Sequence, residues 1–334
     1  MTWPVAHQPE DSSAQTKPGT KHPRRLIAAP RNRMPLIRAS VMIALGILAL
    51  ATPGFLSQPS ILSLVTTVSF IGCVAVGMTL ITLSGNILSF SLGAIVGATA
   101  MIFIVAVNWG GLAFGLFAAL ASGALLNVAQ GFVIGWMGAN PIIISIATLA
   151  LIQGVVQALG ANGTVYLQAG IDFGILKSGI AGVPMEFVTF LCSAAVGQFI
   201  LSFTIFGRNV YMAGGSMRAA AAVGVRTWST VSGVYLWAGL FSALAGIMLA
   251  IRYDLSTMDF GAGYDYEAVA AVLVGGTLIK GGEGSVVRTL LGAMIIAIIQ
   301  DVLLLKGLRQ EWQILIAGLI VLAVIVLQTR GAGD

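Results

Sequence analysis

Residues 61–83 read ILSLVTTVSFIGCVAVGMTLITL. No charged side chain interrupts the run, and its length matches the roughly 20 apolar residues that a helix needs to cross the hydrocarbon core of a bilayer. Similar runs flank it on both sides. Leu36 to Gly54 precedes it, and Ile87 to Val107, Leu112 to Met137, Pro141 to Leu159, Met185 to Phe206, Ser229 to Ile251, Val286 to Leu305 and Trp312 to Leu327 follow. A shorter stretch, Glu267 to Ile279, lies between Ser229 to Ile251 and Val286 to Leu305 and is followed by a glycine cluster. A short or broken crossing is tolerated where other helices bury it. The expectation is therefore an all-α, polytopic membrane protein of about ten transmembrane helices, some of them short or broken.

Composition agrees. Hydrophobic residues make up 57% of the chain, charged residues only 9%, and mean hydropathy is +0.97, far from a water-soluble domain of this length. Residues 1–35 are polar and rich in Lys, Arg, Pro and Ser, and are expected to form a disordered, basic cytoplasmic tail. Residues 36–330 form the transmembrane domain. The net charge of +5 does not indicate nucleic acid, because the basic residues sit at the ends of apolar runs and not on one aromatic-studded face. They instead report topology, since cytoplasmic loops carry an excess of Lys and Arg. Placing the tail inside and alternating sides puts Arg208, Arg218, Arg226, Lys280, Arg288 and Arg330 inside, and Lys177, Arg252, Lys306 and Arg309 outside. Both termini are then cytoplasmic. Two outward loops, Gly160 to Pro184 and Arg252 to Tyr266, are long enough to meet a soluble partner.

Several chemistries find no residues to carry them. No stretch matches the phosphate-binding G-x-x-x-x-G-K-[ST] loop. The only histidines, His7 and His22, lie in the tail, and Cys73 and Cys192 fall inside apolar runs, which leaves no metal-ligand or disulfide pattern. The chain is expected to bind no cofactor and to catalyse no reaction. Asp301 is the one acidic residue well within a predicted crossing, which is thin support for ion-coupled transport; its simplest role is pairing with Lys306 or Arg309. Polar side chains within or beside the apolar runs, Asn86, Asn127 and Gln153 among them, are candidates for lining a solute path. The same groups equally serve as interhelical hydrogen bonds.

One stretch breaks the apolar pattern: FGRNVYMAGGSMRAAAAVGVRTW, Phe206 to Trp228, with three arginines among glycines and alanines. Phe206-Gly207-Arg208, Ala213-Gly214-Gly215, Arg218-Ala219-Ala220 and Gly224-Val225 resemble the cytoplasmic coupling loop, here 207–227, of ribose/xylose-type sugar ABC transporter permeases. A second block, GAGYDYEAVAAVLVGGTLIKGGEGS at Gly261 to Ser285, resembles the Gly-rich signature of that family. Weaker likeness runs through LSGNILSFSLGA and NPIIISIATLALIQG. The chain departs from the pattern at Ser216-Met217-Arg218, in lacking an Asp in NILSFSLG, and in Arg288 where a glycine is usual.

The resemblance implies a permease subunit of a bacterial inner-membrane importer for a monosaccharide or similar small polar solute. It implies as partners a separate ABC ATPase subunit that uses the ATP, a periplasmic or extracellular solute-binding protein, and a second permease copy, identical or not, within the lipid bilayer. Arg208, Gly214, Gly215, Ser216, Arg218, Ala219, Ala220 and Gly224 would form the ATPase-coupling loop. Gly263, Tyr264, Glu267, Gly275, Gly276, Gly281, Gly282 and Gly284 would form the Gly-rich signature. The alternatives are an ABC permease for branched-chain amino acids, nucleosides or a sugar-derived signal, and, from another class, an ion-coupled secondary transporter.

Overall fold

The structure, a computed structural model, describes residues 52–86, 88–158, 163–179, 182–309, 312–316, 318–319 and 322. The basic tail, nearly all of the Leu36 to Gly54 crossing, and the C-terminal end lie outside the described residues. The elements run α1 (Gln58–Leu83), α2 (Leu92–Met137), α3 (Pro141–Ala158), β1 (Val165–Tyr166), α4 (Ile175–Ser178), α5 (Met185–Phe203), α6 (Ile205–Gly215), α7 (Met217–Ala222), α8 (Thr227–Tyr253), β2 (Leu255–Ser256), a 3-10 turn (Met258–Gly261), α9 (Tyr264–Gly275) and α10 (Val286–Leu305). The chain is predominantly helical, and six of these helices are long and apolar enough to cross a membrane.

Helix starts follow local chemistry. Ser57 caps α1, accepting from the Ser60 amide at 3.4 Å with Pro59 in the first turn, and Ser285 caps α10 by accepting from the Arg288 amide at 3.3 Å. Both satisfy backbone donors that a helix start leaves without partners.

Helix α2 holds two of the expected crossings. A straight helix of 46 residues would be about 69 Å long, more than twice the roughly 30 Å hydrocarbon core. Gly111, at φ 78° and ψ 179°, reverses the chain, a conformation that a side chain would strain. The two arms then pack antiparallel, symmetrically about it. A Cβ on Gly123 would lie 3.2 Å from Thr99 Cγ2, and at the open end Ser91 Oγ donates to Gln130 Oε1 at 2.7 Å.

Helix α8 lies along this hairpin through small residues. A Cβ on Gly123 would stand 2.8 Å from that of Ala243, one on Gly135 2.9 Å from Trp228 Cα, and one on Gly239 2.8 Å from Asn127 Nδ2. Small side chains allow the close backbone approach that drives helix association where lipid supplies no hydrophobic force. Helix α1 runs through the centre, buried along most of its length, with Gly77 against Ala238 of α8. Helices α9 and α10 pack on its other side.

The loops gather at two ends. At one end, the connections 84–85, 207–226 and 276–285 converge, all of them on the side to which alternation assigns the basic loops. At the other, the two long loops pair with each other: β1 and β2 are antiparallel, with Val165 opposite Ser256. Asn108 ties the α2 turn to this ribbon, donating to Tyr166 O at 2.9 Å and accepting from the Gln168 amide at 3.0 Å. Lys177 pairs with Asp254, and Arg252 with Glu186 at 2.9 Å.

The crossing expected over Ile87 to Val107 starts late. The described residues between α1 and α2, 84–86 and 88–91, are not helical, and Asn86, Ser89 and Ser91 among them are buried. Their side chains supply what a helix would: Asn86 Nδ2 donates to Ser84 Oγ at 2.8 Å, and Ser89 Oγ lies 3.1 Å from Ser91 Oγ. Ser and Asn compete in this way with helical backbone bonding, and irregular backbone survives at membrane depth where protein encloses it.

Helix α9 is short in the same way. Its 12 residues span about 18 Å, too little for a full crossing. It begins where the opposite loop dips inward, so that Gly93 of α2 lies against the Gly261 backbone and Gly97 against Met258. The Gly93 amide donates to Asp265 Oδ1 at 2.6 Å. Two interrupted helices thus begin side by side, joined by one carboxylate.

Candidate functional site

The convergence of loops at the basic end is the most constructed feature of the described chain. Thr204 ends α5 and caps α6, accepting from the Gly207 amide at 3.0 Å. Ser216 then closes α6 and caps α7, accepting from the Ala219 amide at 3.3 Å. Helix α7 is a six-residue rod that ends at Gly224, whose left-handed turn lets the Val225 amide reach Ala220 O at 3.0 Å. Ala220 is its one buried residue. Arg218 and Ala219 face outward, as do Arg208, Gly215 and Ser216. The departure Ser216-Met217-Arg218 therefore lies on the exposed surface, with Ser216 serving as the cap.

Beneath this loop is a junction of bare backbone. Gly214 rests on the carbonyl oxygen of Leu83 at the end of α1, and a Cβ there would also stand 2.5 Å from the Gly282 amide nitrogen. A Cβ on Gly281 would lie 2.7 Å from Gly85 Cα, and one on Gly282 2.9 Å from the Gly215 nitrogen. The Gly282 amide donates to Leu83 O at 3.1 Å, and Tyr211 Oη donates to Gly284 O at 3.0 Å. Burial pushes the Tyr211 hydroxyl pKa up, with the nearby Arg288 guanidinium acting in the opposite direction. The hydroxyl therefore stays a donor. The 207–226 loop and the Gly-rich block, separate in the sequence, are here one structure packed on the end of α1.

The Gly-rich block itself is divided between the two ends of α9. Gly275, Gly276, Gly281, Gly282 and Gly284 belong to the basic end, where Gly275 lies against the Arg288 backbone of α10. Gly263, Tyr264 and Glu267 lie at the other end. Gly263 caps α9 in a left-handed conformation, Tyr264 opens the helix, and Glu267 Oε1 accepts from Gln300 Nε2 of α10 at 2.6 Å. Arg208, Arg218, Arg226, Lys280 and Arg288 are all exposed around the junction, and none forms an ion pair among the described residues.

The three solute-path candidates occupy three different settings. Asn86 is buried in the break between α1 and α2. Asn127 is fully buried against Gly239 of α8, and neither atom of its amide has a hydrogen-bond partner. Gln153 is exposed on α3. Asp301 takes a 2.6 Å hydrogen bond from Ser60 Oγ, tying α10 to α1. Sequence reading missed the Asp265 bond to Gly93 and the Ser89–Ser91–Gln130 network. The serine-rich NILSFSLG was the available signal for that network.

No group of His, Cys, Asp or Glu that could hold a metal exists among the described residues. Six helices long and apolar enough to cross a membrane, with an exposed basic loop set on a glycine junction, define a multi-pass membrane protein. Residues 60–325 match the family described as branched-chain amino acid transport system / permease component, and the chain belongs to that family. It is similar to the ribose import permease protein RbsC of Bacillus subtilis, 30% identical over 288 residues covering 85% of this chain and 89% of that protein. It is also similar to the autoinducer 2 import system permease protein LsrC of Yersinia pestis (29%; 90% and 85% covered) and to the inner membrane ABC transporter permease protein YjfF of Escherichia coli (29%; 90% and 93% covered). No solved structure matches the chain.

Proposed function

We propose that this permease moves a monosaccharide or a similar small polyhydroxy solute inward across the bacterial inner membrane, driven by ATP hydrolysis on a separate subunit that docks on α6 and α7. One observation carries the reading: the loop that exposes Arg208, Arg218 and Arg226 packs through Gly214 directly on the backbone of the end of α1 and of the turn between α9 and α10, to which Tyr211 Oη also donates. A force applied to α7 is therefore delivered to the transmembrane helices without an intervening flexible link. The relatives' names, which specify import of ribose and of autoinducer 2, support a sugar-like cargo. The excess of basic side chains supports a cytoplasmic position for this end, and both termini would then lie on that side.

The opposite end carries the β1–β2 ribbon and paired charges, a surface suited to receive a solute-binding protein. A second permease copy completes the path. The exposed arginines offer the bidentate geometry that suits acidic side chains at an interface.

The test replaces Arg218 and Ala219, both exposed, by Asp. ATP-dependent ribose uptake and copurification of the ATPase should both fall, while the amount of permease in the membrane stays constant. Unchanged uptake with unchanged copurification sinks the docking assignment.

A further inference from the structure

Three elements meet at the carbonyl of Gly284. It belongs to the last residue before Ser285, the cap of α10, and it accepts from Tyr211 Oη of α6 at 3.0 Å. Against the same residue stands Thr277, which follows Gly276 at the end of α9. The turn between them folds the two together: the Leu278 amide donates to Glu283 O at 3.0 Å, so Thr277 and Gly284 face each other at its base. A Cβ on Gly284 would lie 2.5 Å from Thr277 Oγ1, so the hydroxyl fills the space that a side chain there would need. Yet Thr277 is fully buried, and this hydroxyl has no hydrogen-bond partner among the described residues. The last carbonyls of α9 already accept from backbone, Leu273 O from the Gly276 amide at 3.0 Å and Val272 O from the Thr277 amide at 3.1 Å.

A buried hydroxyl without a partner is unfavourable, and this one touches the residue whose carbonyl a tyrosine of the exposed loop holds. We propose that the Gly284 carbonyl is an exchangeable acceptor: Tyr211 holds it in the state described, and Thr277 takes it when a subunit docked on α6 and α7 draws Tyr211 away. Tyr211 and Thr277 are then two positioning residues of the transport step, an inference that rests on the docking reading above. Glycine at 284 permits the exchange. Its φ of 155° lies where side chains are disfavoured, and its peptide unit can rotate without carrying one. The rotation acts on a crossing helix, because the same peptide leads into Ser285, whose hydroxyl accepts from the Arg288 amide at the start of α10. Helix α10 is in turn tied to α1 through Thr289 and Thr79, whose hydroxyl oxygens lie 2.7 Å apart. Movement of the loop thus reorients a helix start, and the carbonyl keeps a donor in both states, as a buried backbone acceptor requires.

Thermal unfolding of the full-length permease, by itself and in the copurified complex with its ATPase held by ATP and vanadate, tests this with Tyr211→Phe and Thr277→Val. By itself, Tyr211→Phe should lower the midpoint, whereas Thr277→Val should leave it at or above the parent's, since it removes a hydroxyl that bonds to nothing. In the trapped complex the order should reverse. A lowered midpoint for Thr277→Val by itself shows that the hydroxyl is already satisfied at rest, and an unlowered one in the trapped complex shows that it is never used; either result overturns the exchange. ATP-driven ribose uptake should fall for Thr277→Val by up to about fivefold, the effect of losing one hydrogen bond. It should stay at the parent level for Thr277→Ser, which keeps the donor. Parental uptake by Thr277→Val would overturn the exchange as well, because a hydroxyl with no role beyond filling space is replaced by a methyl without effect on transport. The two readings fail separately. An ATPase that does not copurify with the parent refutes the docking, whereas copurification without the reversal refutes the exchange alone.

Discussion

Gly214 and Gly215 are adjacent in the same helix turn, yet their surroundings differ completely. A methyl on Gly214 would run into the Leu83 carbonyl and stand 2.5 Å from the Gly282 nitrogen, whereas one on Gly215 would meet nothing within 4 Å. Gly214→Ala must therefore part the junction. Overpacking costs typically about 1–3 kcal/mol, and displacing the 3.1 Å Gly282–Leu83 hydrogen bond adds about 1 kcal/mol. The intact junction is thus disfavoured by about 2–4 kcal/mol, less the roughly 0.5–1 kcal/mol that Ala gains over Gly in a helix. Gly215→Ala receives that same gain without the clash, which makes it the matched control. If coupling requires the intact junction, a net loss near 2 kcal/mol lowers the ratio of intact to parted junction by more than tenfold, since about 1.4 kcal/mol is a factor of ten. ATP-driven ribose uptake in vesicles of equal permease content should fall, by up to that factor, for Gly214→Ala and remain at the parent level for Gly215→Ala. Indistinguishable uptake by the two variants would refute the claim that backbone contact at this junction transmits the motion.

Asp265→Ala leaves the Gly93 amide without its acceptor, a loss of about 1–3 kcal/mol for a buried donor; thermal unfolding in detergent should show Asp265→Ala less stable than Asp265→Asn, which keeps an acceptor oxygen. The two ion pairs at the opposite end should separate in the same assay. Lys177 and Asp254 are 43% and 45% exposed, so Lys177→Ala changes stability by under about 1 kcal/mol, whereas Arg252→Ala leaves Glu186, 12% exposed, without its partner and costs more, with less relief from high salt. Asn127→Leu replaces a fully buried amide that has no partner by an apolar side chain of similar size, so its thermal stability should equal or exceed that of the parent; a clear drop would show that the amide is satisfied in the protein.

Most of the fold's pattern is written in residue type alone. Runs such as Pro141 to Leu159 have no alternative to a crossing, and the polar break at Asn108 and Gly110–Gly111 marks the hairpin turn before any geometry is known. The break from Ser84 to Ser91 is harder to see. Its serines alternate with Leu and Phe, a window average stays apolar through it, and Ser is tolerated inside membrane helices. What distinguishes it is Gln130, 39 residues away, which supplies the partner that lets Ser91 leave the helix. The junction is hidden for a different reason. In a chain with 42 glycines, nothing local marks Gly214, Gly281 and Gly282 as the ones whose missing side chains admit one another's backbone. Likeness to a known family grouped them as two motifs, and only the fold reveals that the motifs touch.

Helix α9 gives that contact its consequence. One end is fixed at the junction by Gly275 against α10 and by the 281–284 turn against α1 and α6. The other end, about 18 Å away, holds Asp265, whose carboxylate takes the first amide donors of α2. A helix bonded internally along its whole length moves as a rod, so under the proposed docking a displacement at the 207–226 loop would reach the start of α2 through α9 without passing through α8. The segments on both sides, residues 84–86 and 88–91 and the single 3-10 turn Met258–Gly261, lack an α-helical hydrogen-bond ladder. On that reading, the two helix starts meeting at Asp265 are the part of the permease that would answer most directly to events at the basic end.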